Sequence, residues 1–143
     1  MEQSTVNRFL KAQETVYDVA LAEIRSGKKE SHWMWYIFPQ LRGLGYSPLS
    51  YTYGINGMTE AKEYLAHPTL SFRLVEICKA LLAHNGKNIY DIMGEIDEMK
   101  LQSSMTLFAY ISKKESVFHQ VINCFYGGCM DEFTLELIEN INF

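Results

Sequence analysis

Apolar residues recur every three or four positions along most of the chain, which is the spacing of one buried face of an α-helix. The first such stripe runs over residues 5–26, and Gly27 is placed to end it. A second stripe runs over residues 68–85, where Pro68 suits a first helical position and Gly86 follows the last turn. The two stripes predict two long amphipathic helices that pack against each other.

Three shorter stripes follow in the C-terminal half. One covers residues 99–111, with Asp97 as the expected N-cap. Another covers residues 117–125, and the last begins after Asp131, a further expected N-cap. Only YTYGI at residues 51–55 has β-strand character, and the serine–proline pair upstream of it favours a short helix instead. Strand signals are therefore nearly absent.

The length and composition favour one folded domain. The chain has 143 residues, of which 48% are hydrophobic and 21% are charged, values typical of a globular protein rather than a disordered one. We predict an all-α fold: a single compact orthogonal multi-helix domain over residues 1–143 with about seven to nine helices, several of them short. No apolar run is long enough for a membrane span, and the polar N-terminus has no apolar signal region, so we expect a cytoplasmic protein.

The net charge of −4 is unevenly distributed along the chain. Residues 25–58 carry four basic side chains against Glu30 alone, a local charge of +3, so the remainder carries −7. An acidic protein is a poor partner for duplex nucleic acid, whose affinity comes mostly from many phosphate contacts. The local positive excess is compatible with one small anionic ligand.

The segment SHWMWYIFPQLR at residues 31–42 concentrates aromatic rings in a part of the chain that is rich in glycine and proline. Irregular backbone of this kind usually lies at the surface and often carries function. Helical spacing would place Trp33 and Trp35 on different sides of a short helix. We expect Trp33 and Phe38 to pack in the core, and Trp35 to be the better candidate for stacking on a ligand.

Polar side chains beside these rings form the first half of a candidate ligand-binding site. His32 titrates near neutral pH and is a candidate ligand donor or general acid–base, the alternative being a structural histidine at an element start. Gln40 is able to hydrogen-bond an amide or a base edge, and Arg42 has the planar donor geometry that suits a carboxylate or phosphate.

The second half lies in DEMKLQSSMTLF at residues 97–108. Lys100, Ser103 and Ser104 are three and four positions apart, so they approach one face of a helix and are suited to holding an anion. The alternative is that the two serines are small residues that let helices pack closely. We predict a ligand cleft where residues 32–46 meet this helix.

No cofactor and no metal are indicated. The four histidines have no metal-ligand spacing, and the three cysteines form no C-x-x-C pair. The sequence GLG at residues 43–45 is not a dinucleotide motif, because no strand precedes it and the third glycine is missing. We therefore expect no metal, no cofactor and no disulfide framework.

The run HWMWYIFPQLRGLG at residues 32–45 resembles the signature of the domain-of-unknown-function family 1810. The likeness extends over nearly the whole chain, through RFLKAQ at 8–13, YDVALAEIRSGKK at 17–29, EAKEYLAHPTL at 60–70, DEMKLQSSMTLF at 97–108 and FYGGCMDEFTLELI at 125–138. Ser71, Tyr46 and Glu98 stand where the family often has glycine, a basic residue and aspartate. The resemblance implies a compact all-α fold and no established activity.

Three interpretations of the function are compatible with the sequence. The favoured one is binding of a small anionic, nucleotide-like molecule in an aromatic and basic cleft. The second is a hydrolase or transferase that acts on such a ligand, with His32 as acid or base and Asp97 or Glu98 as its partner. The third is a protein-interaction domain without a small-molecule site. The oligomeric state is left open.

Overall fold

The computed structural model describes residues 5–45 and 47–141, and this part of the chain is all-α. The helices are α1 (Asn7–Gln13), α2 (Tyr17–Ser26), α3 (Met34–Ile37), α4 (Pro48–Thr52), α5 (Gly57–Ala66), α6 (Pro68–Leu82), α7 (Ile89–Met93), α8 (Glu95–Tyr110), α9 (Val117–Tyr126) and α10 (Glu132–Ile141). Tyr46 lies outside the described residues. None of the helices in the described ranges is long and apolar enough to cross a membrane.

The predicted fold class is confirmed. Ten helices occur in the described residues against the seven to nine expected, and three of them, α3, α4 and α7, have only four or five residues. The only β-type pairing in the same ranges is an isolated parallel bridge between Leu41 and Ile55. The short helices explain the difference in number, because one turn of helix leaves little periodic signal in a sequence.

The stripe over residues 5–26 forms two helices rather than the one that we predicted. α1 ends at Gln13 and α2 begins at Tyr17, with Val16 donating to the Gln13 carbonyl across the break. The side chain of Gln13 is buried, and its amide donates to the carbonyl of Tyr36 and the hydroxyl of Tyr64. These bonds fix the end of α1 against α3, while α2 packs on α6 as predicted.

α8 lies at the centre of the helix packing. It contacts α7, α9 and α10, and its residues from Ser103 to Ala109 are all buried. The first turns of the helix are different, because Met99 is exposed and Lys100 is half-buried. α8 therefore begins at the surface and continues into the core, which places its N-terminal half beside any surface cleft.

Most of the predicted helix starts are observed. Pro68 occupies the first turn of α6, the hydroxyl of Ser47 accepts from the Ser50 amide at the start of α4, and Asp131 accepts from the Thr134 amide at the start of α10. The expectation for Asp97 is wrong. α8 begins two residues earlier, and the Asp97 carboxylate instead forms an ion pair with a lysine.

A close crossing of two segments fixes the backbone after the aromatic run. The Ile55 amide donates to the Gln40 carbonyl at 2.8 Å, and the Arg42 amide donates to the Ile55 carbonyl at 2.9 Å. A Cβ at Gly54 would lie 2.5 Å from the Ser50 carbonyl oxygen and 2.8 Å from the Arg42 Cα. Only glycine fits there, because both neighbours are backbone atoms.

The aromatic run divides between core and surface as predicted. Trp33 is 1% exposed and Phe38 is fully buried, with their ring centroids 6.1 Å apart. The indole N–H of Trp33 donates to the Glu23 carboxylate at 2.9 Å. Trp35 is only half-buried.

Replacing the two tryptophans should give unequal losses of stability. Trp33→Ala removes a buried ring and an indole hydrogen bond, so we expect it to lower the free energy of unfolding by about 3–5 kcal/mol. Trp35→Ala is the matched control and should cost much less, because its ring leaves no enclosed cavity. Urea unfolding of both variants measures the difference, and equal small losses would contradict the assignment of Trp33 to the core.

Candidate functional site

A cleft of about 560 Å³ opens where the predicted segment meets α8, with α10 as its third wall. This volume lies within the range of small-molecule sites, which are concave and mostly apolar with a few polar groups. The lining residues are Trp35, Gln40, Gly43, Leu44, Gly45, Ser47, Met99, Lys100, Gln102, Ser103, Asp131, Phe133, Glu136, Leu137 and Asn140. Four predicted site residues, Trp35, Gln40, Lys100 and Ser103, are therefore brought together.

Lys100 supplies the positive charge of the cleft. Its Nζ lies 4.6 Å from the centroid of the Trp35 ring, a cation–π contact that holds the ammonium against the aromatic wall. The nearest carboxylate oxygen, of Asp97, is 3.6 Å away. This distance exceeds the 2.7–2.9 Å or so of a strong charge-assisted hydrogen bond, so the ammonium keeps donor capacity for another acceptor.

A second lysine repeats this arrangement outside the cleft. Lys29 Nζ lies 4.7 Å from the centroid of the Trp33 ring and 2.8 Å from the other oxygen of Asp97. Asp97 therefore balances two lysines, each placed over one tryptophan. Its closer pairing with Lys29 leaves Lys100 the less neutralised of the two cations.

Gln40 contributes a buried donor without a partner. Its side chain is 3% exposed, and its Nε2 makes no hydrogen bond to any described residue. The backbone on either side is fixed by the crossing with Ile55. A buried polar group left unpaired costs about 1–3 kcal/mol, and orphaned groups of this kind are uncommon in folded proteins.

The wall formed by α10 combines apolar and acidic side chains. Phe133, Glu136, Leu137 and Asn140 line the cleft at the three- and four-residue spacing of one helix face. The Asp131 carboxylate is already engaged by the amide and hydroxyl of Thr134. Glu136, by contrast, is exposed. The cleft therefore holds one lysine and two carboxylates, and it is not strongly basic.

Arg42 does not line this cleft. Its Nε donates to the Tyr51 carbonyl at 2.9 Å, and its guanidinium lies 4.5 Å from the centroid of the Tyr51 ring. It borders a separate cavity of about 400 Å³, beside the ion pair between Arg8 and Glu60. The structure thus separates Arg42 from Lys100, although the sequence suggested that both belong to one site.

His32 and Ser104 also lie outside the cleft. His32 is exposed and borders a smaller cavity of about 250 Å³, whose lining includes Asp97, Trp35 and Lys100. Ser104 is fully buried in α8, and its hydroxyl has no partner among the described residues. Ser103 faces the cleft, with its hydroxyl 3.2 Å from the Met99 carbonyl and 3.3 Å from Asp131.

The contribution of α10 was not anticipated from the sequence. The expected core side of this helix holds Ile138, which is fully buried. Phe133 and Leu137 lie on a different side, four positions apart, and Phe133 is 72% exposed. The sequence signal that could have indicated this wall is the pair of apolar residues on an otherwise polar helix face.

The polar side chains that line the cleft are one lysine, two carboxylates, two hydroxyls and three amides. No group of three or more metal-ligating side chains occurs in the described part of the chain. Among the described residues, neither histidine nor cysteine lines the cleft. Ser103 therefore has no imidazole within the cleft to activate its hydroxyl.

The Glu23 carboxylate holds the loop that leads into the cleft. It accepts hydrogen bonds from the amides of Glu30 and Ser31, the hydroxyl of Ser31 and the indole of Trp33, at 2.5–2.9 Å. Burial alone raises the pKa of Glu23, but these hydrogen bonds outweigh it and lower the pKa to about 2. The loop and the first tryptophan are thus attached to the end of α2.

Comparison with known proteins places the chain among proteins without an assigned activity. Residues 3–138 match the model of a family described as "Protein of unknown function (DUF1810)". The crystal structure of the conserved hypothetical protein Rv1873 from Mycobacterium tuberculosis, at 1.38 Å, is similar with a TM-score of 0.93 and 42% sequence identity. The similarity covers 96% of this chain and 99% of that one. No curated protein matches.

Loss of the Glu23 charge should destabilise the fold in a pH-dependent manner. Because its folded pKa of about 2 lies below the ordinary value of 4.5, its stabilisation is present above about pH 4.5 and is lost as the pH falls towards 2. We expect Glu23→Gln to lower the free energy of unfolding by about 2 kcal/mol at pH 7, since hydrogen bonds to a charged group are weakened.

The difference in the free energy of unfolding between the wild-type protein and Glu23→Gln should decrease on acidification. Urea unfolding at pH 7, 4 and 2.5 measures it. The pKa of Glu60 is also lowered to about 2, because hydrogen bonds from Arg8, Thr5 and Asn56 outweigh the burial that raises it. Since both proteins contain Glu60, its titration cancels in the comparison and the effect of Glu23 is isolated. A difference independent of pH would contradict this account.

Proposed function

The chain belongs to the DUF1810 family, and we propose that it is a binding protein for a small molecule that carries one anionic group on a flat, largely apolar body. The observation that supports this most directly is Lys100, held over Trp35 at the wall of a cleft of about 560 Å³. The ligand is bound without turnover in this proposal.

The position of Lys100 favours an anion as ligand. An ammonium on an aromatic wall is partly removed from water, which strengthens its attraction for a charged acceptor. The long separation of 3.6 Å from Asp97 leaves that acceptor position open. A phosphate or carboxylate oxygen would complete the hydrogen bonds of the ammonium.

The other charges of the cleft limit the ligand to a single anionic group. Asp131 and Glu136 both line it, so one cation faces two carboxylates. A triphosphate would place several negative charges beside them, and like charges brought together across an interface are costly. Among nucleotide-like molecules, monophosphates therefore fit better than triphosphates.

The apolar side chains at the mouth favour a flat body on the ligand. Met99 is 61% exposed and Phe133 is 72% exposed, and both line the cleft with Leu44 and Leu137. Large exposed apolar residues grouped around a concavity are typical of binding sites. A planar ring would cover them and gain both burial and ring contacts.

A thermal-shift screen with nucleotides, sugar phosphates and amino acids tests the binding function. We expect nucleoside monophosphates to raise the melting temperature more than the triphosphates of the same bases. Assay of the same mixtures for product separates binding from the alternative of a hydrolase or transferase with His32 as acid or base. If no compound shifts the melting temperature, the binding proposal fails and the protein-interaction alternative becomes the better one.

Removing the charge of Lys100 should weaken binding while the fold is kept. Lys100→Met retains most of the side-chain stem and deletes the ammonium. We expect it to weaken the affinity for the most stabilising monophosphate by about tenfold or more, because charge-assisted hydrogen bonds are worth about 1.5–3 kcal/mol. Lys79→Met is the matched control, since Lys79 is exposed on α6 and lines neither the cleft nor the smaller cavity.

Isothermal titration calorimetry of both variants and of the wild-type protein measures the change. An unchanged affinity in Lys100→Met, or an equal loss in Lys79→Met, would contradict the assignment of Lys100 to the anion site.

A further inference from the structure

The smaller cavity of about 250 Å³ differs from the cleft in the balance of its charges. Its lining includes Lys29 and Lys100 against Asp97 alone, whereas the cleft has one lysine against two carboxylates. We infer that the smaller cavity is a site for a small oxyanion, which Lys100 binds either as a free ion or as the anionic group of the ligand in the cleft. The inference deepens the proposed function and rests on it in one respect, the binding of an anion by Lys100.

The Lys100 ammonium is placed to reach an anion on the side of the smaller cavity. Its side chain is 27% exposed and lines both cavities. The carboxylate 3.6 Å from its Nζ belongs to Asp97, which lines the smaller cavity and not the cleft. An anion bound on this side therefore keeps away from Asp131 and Glu136, the two carboxylates that line the cleft.

Lys29 offsets the negative charge of Asp97. Its ammonium donates to one oxygen of Asp97 at 2.8 Å and to the Ser31 carbonyl at 2.6 Å, and its side chain is only 7% exposed. It therefore supplies charge to the smaller cavity rather than a direct contact with a ligand. Because Asp97 is paired closely with Lys29, it opposes an incoming anion less, and the charge of Lys100 remains available.

The size and the remaining lining of the smaller cavity suit a small group rather than a whole ligand. Its volume is below the range of about 300–1,000 Å³ typical of sites for drug-sized molecules. His32 is exposed and lines it, and an imidazole N–H is a further hydrogen-bond donor. Trp35 and Lys100 line both cavities, so the two spaces share a wall. An oxyanion fits on one side of this wall, and the flat body of the ligand fits on the other.

Two glutamate substitutions test which cavity holds the anion. Leu49 lines the smaller cavity and not the cleft, whereas Phe133 lines the cleft and not the smaller cavity. Both side chains are exposed, at 44% and 72%, so Leu49→Glu and Phe133→Glu add the same charge without emptying the core. We expect Leu49→Glu to weaken the binding of inorganic phosphate by about tenfold and Phe133→Glu by about twofold or less, because repulsion between charges falls with distance.

Isothermal titration calorimetry with inorganic phosphate measures these affinities, at an ionic strength kept constant with sodium chloride because salt screens the charges. Leu49→Lys should tighten the binding of phosphate, an effect that loss of structure does not produce. An equal loss in the two glutamate variants, a greater loss in Phe133→Glu, or no binding of phosphate to the wild-type protein would overturn the inference.

Competition distinguishes the two sources of the oxyanion, with adenosine, adenosine 5′-monophosphate and inorganic phosphate as probes. If the site holds the anionic group of the cleft ligand, the nucleotide displaces phosphate, adenosine and phosphate bind together, and Leu49→Glu weakens the nucleotide as well. If the oxyanion is free, phosphate and the nucleotide bind at the same time, and Leu49→Glu leaves the nucleotide affinity unchanged.

Failure of this inference and failure of the binding function have different signatures. If Lys100→Met weakens the binding of a monophosphate from the screen, and Phe133→Glu weakens it more than Leu49→Glu does, the binding function stands and the smaller cavity is the wrong place. If phosphate binds as expected but no compound of the screen does, the small-molecule function fails and the oxyanion site stands. If Lys100→Met leaves the binding of phosphate and of every monophosphate unchanged, both proposals fail.

Discussion

The carboxylate of Glu23 is the constraint on which the cleft depends. Four hydrogen bonds from the loop after α2 converge on it, and one of them comes from the indole of Trp33. This attachment sets the position at which the buried ring enters the core, and Trp35 follows two residues later at the cleft wall. Since Asp97 binds both Lys29 and Lys100, the same loop is also tied to the start of α8. Two carboxylates, Glu23 near the end of α2 and Asp97 in the first turn of α8, thereby align two of the three walls.

Much of the fold could be predicted because its signals are local. Helical periodicity, a proline at the start of α6 and the caps Ser47 and Asp131 act within a few residues, so the sequence carries them directly. The division of Trp33 from Trp35 was predicted from helical spacing, although Trp33 is the residue before α3 and not part of its turn. The meeting of residues 32–46 with α8 was predicted from the local positive charge, the exposed-ring candidate Trp35 and the serine pair of α8.

The rest could not be predicted because it is set by contacts between distant residues. Arg42 follows Gln40 by two positions, yet the crossing with Ile55 directs it to the Tyr51 ring and a different cavity. The break after α1 depends on hydrogen bonds from Gln13 to residues more than twenty positions away. The third wall was missed because α10 reaches the cleft through packing on α8 and α5, which no local pattern specifies.

The unequal placement of the two tryptophans has an optical consequence. Indole emission depends on the polarity and charge around the ring. A lysine ammonium lies over each ring, but Trp33 is buried and Trp35 is half-buried at the cleft wall. Trp33 is enclosed in the core, so a ligand in the cleft does not touch its ring. Trp35 has the Lys100 ammonium 4.6 Å from its ring centroid, so its emission follows the position of that charge. An anion that draws the Lys100 ammonium away from the ring would change the emission of Trp35, so this indole would act as an intrinsic fluorescent reporter of the cleft.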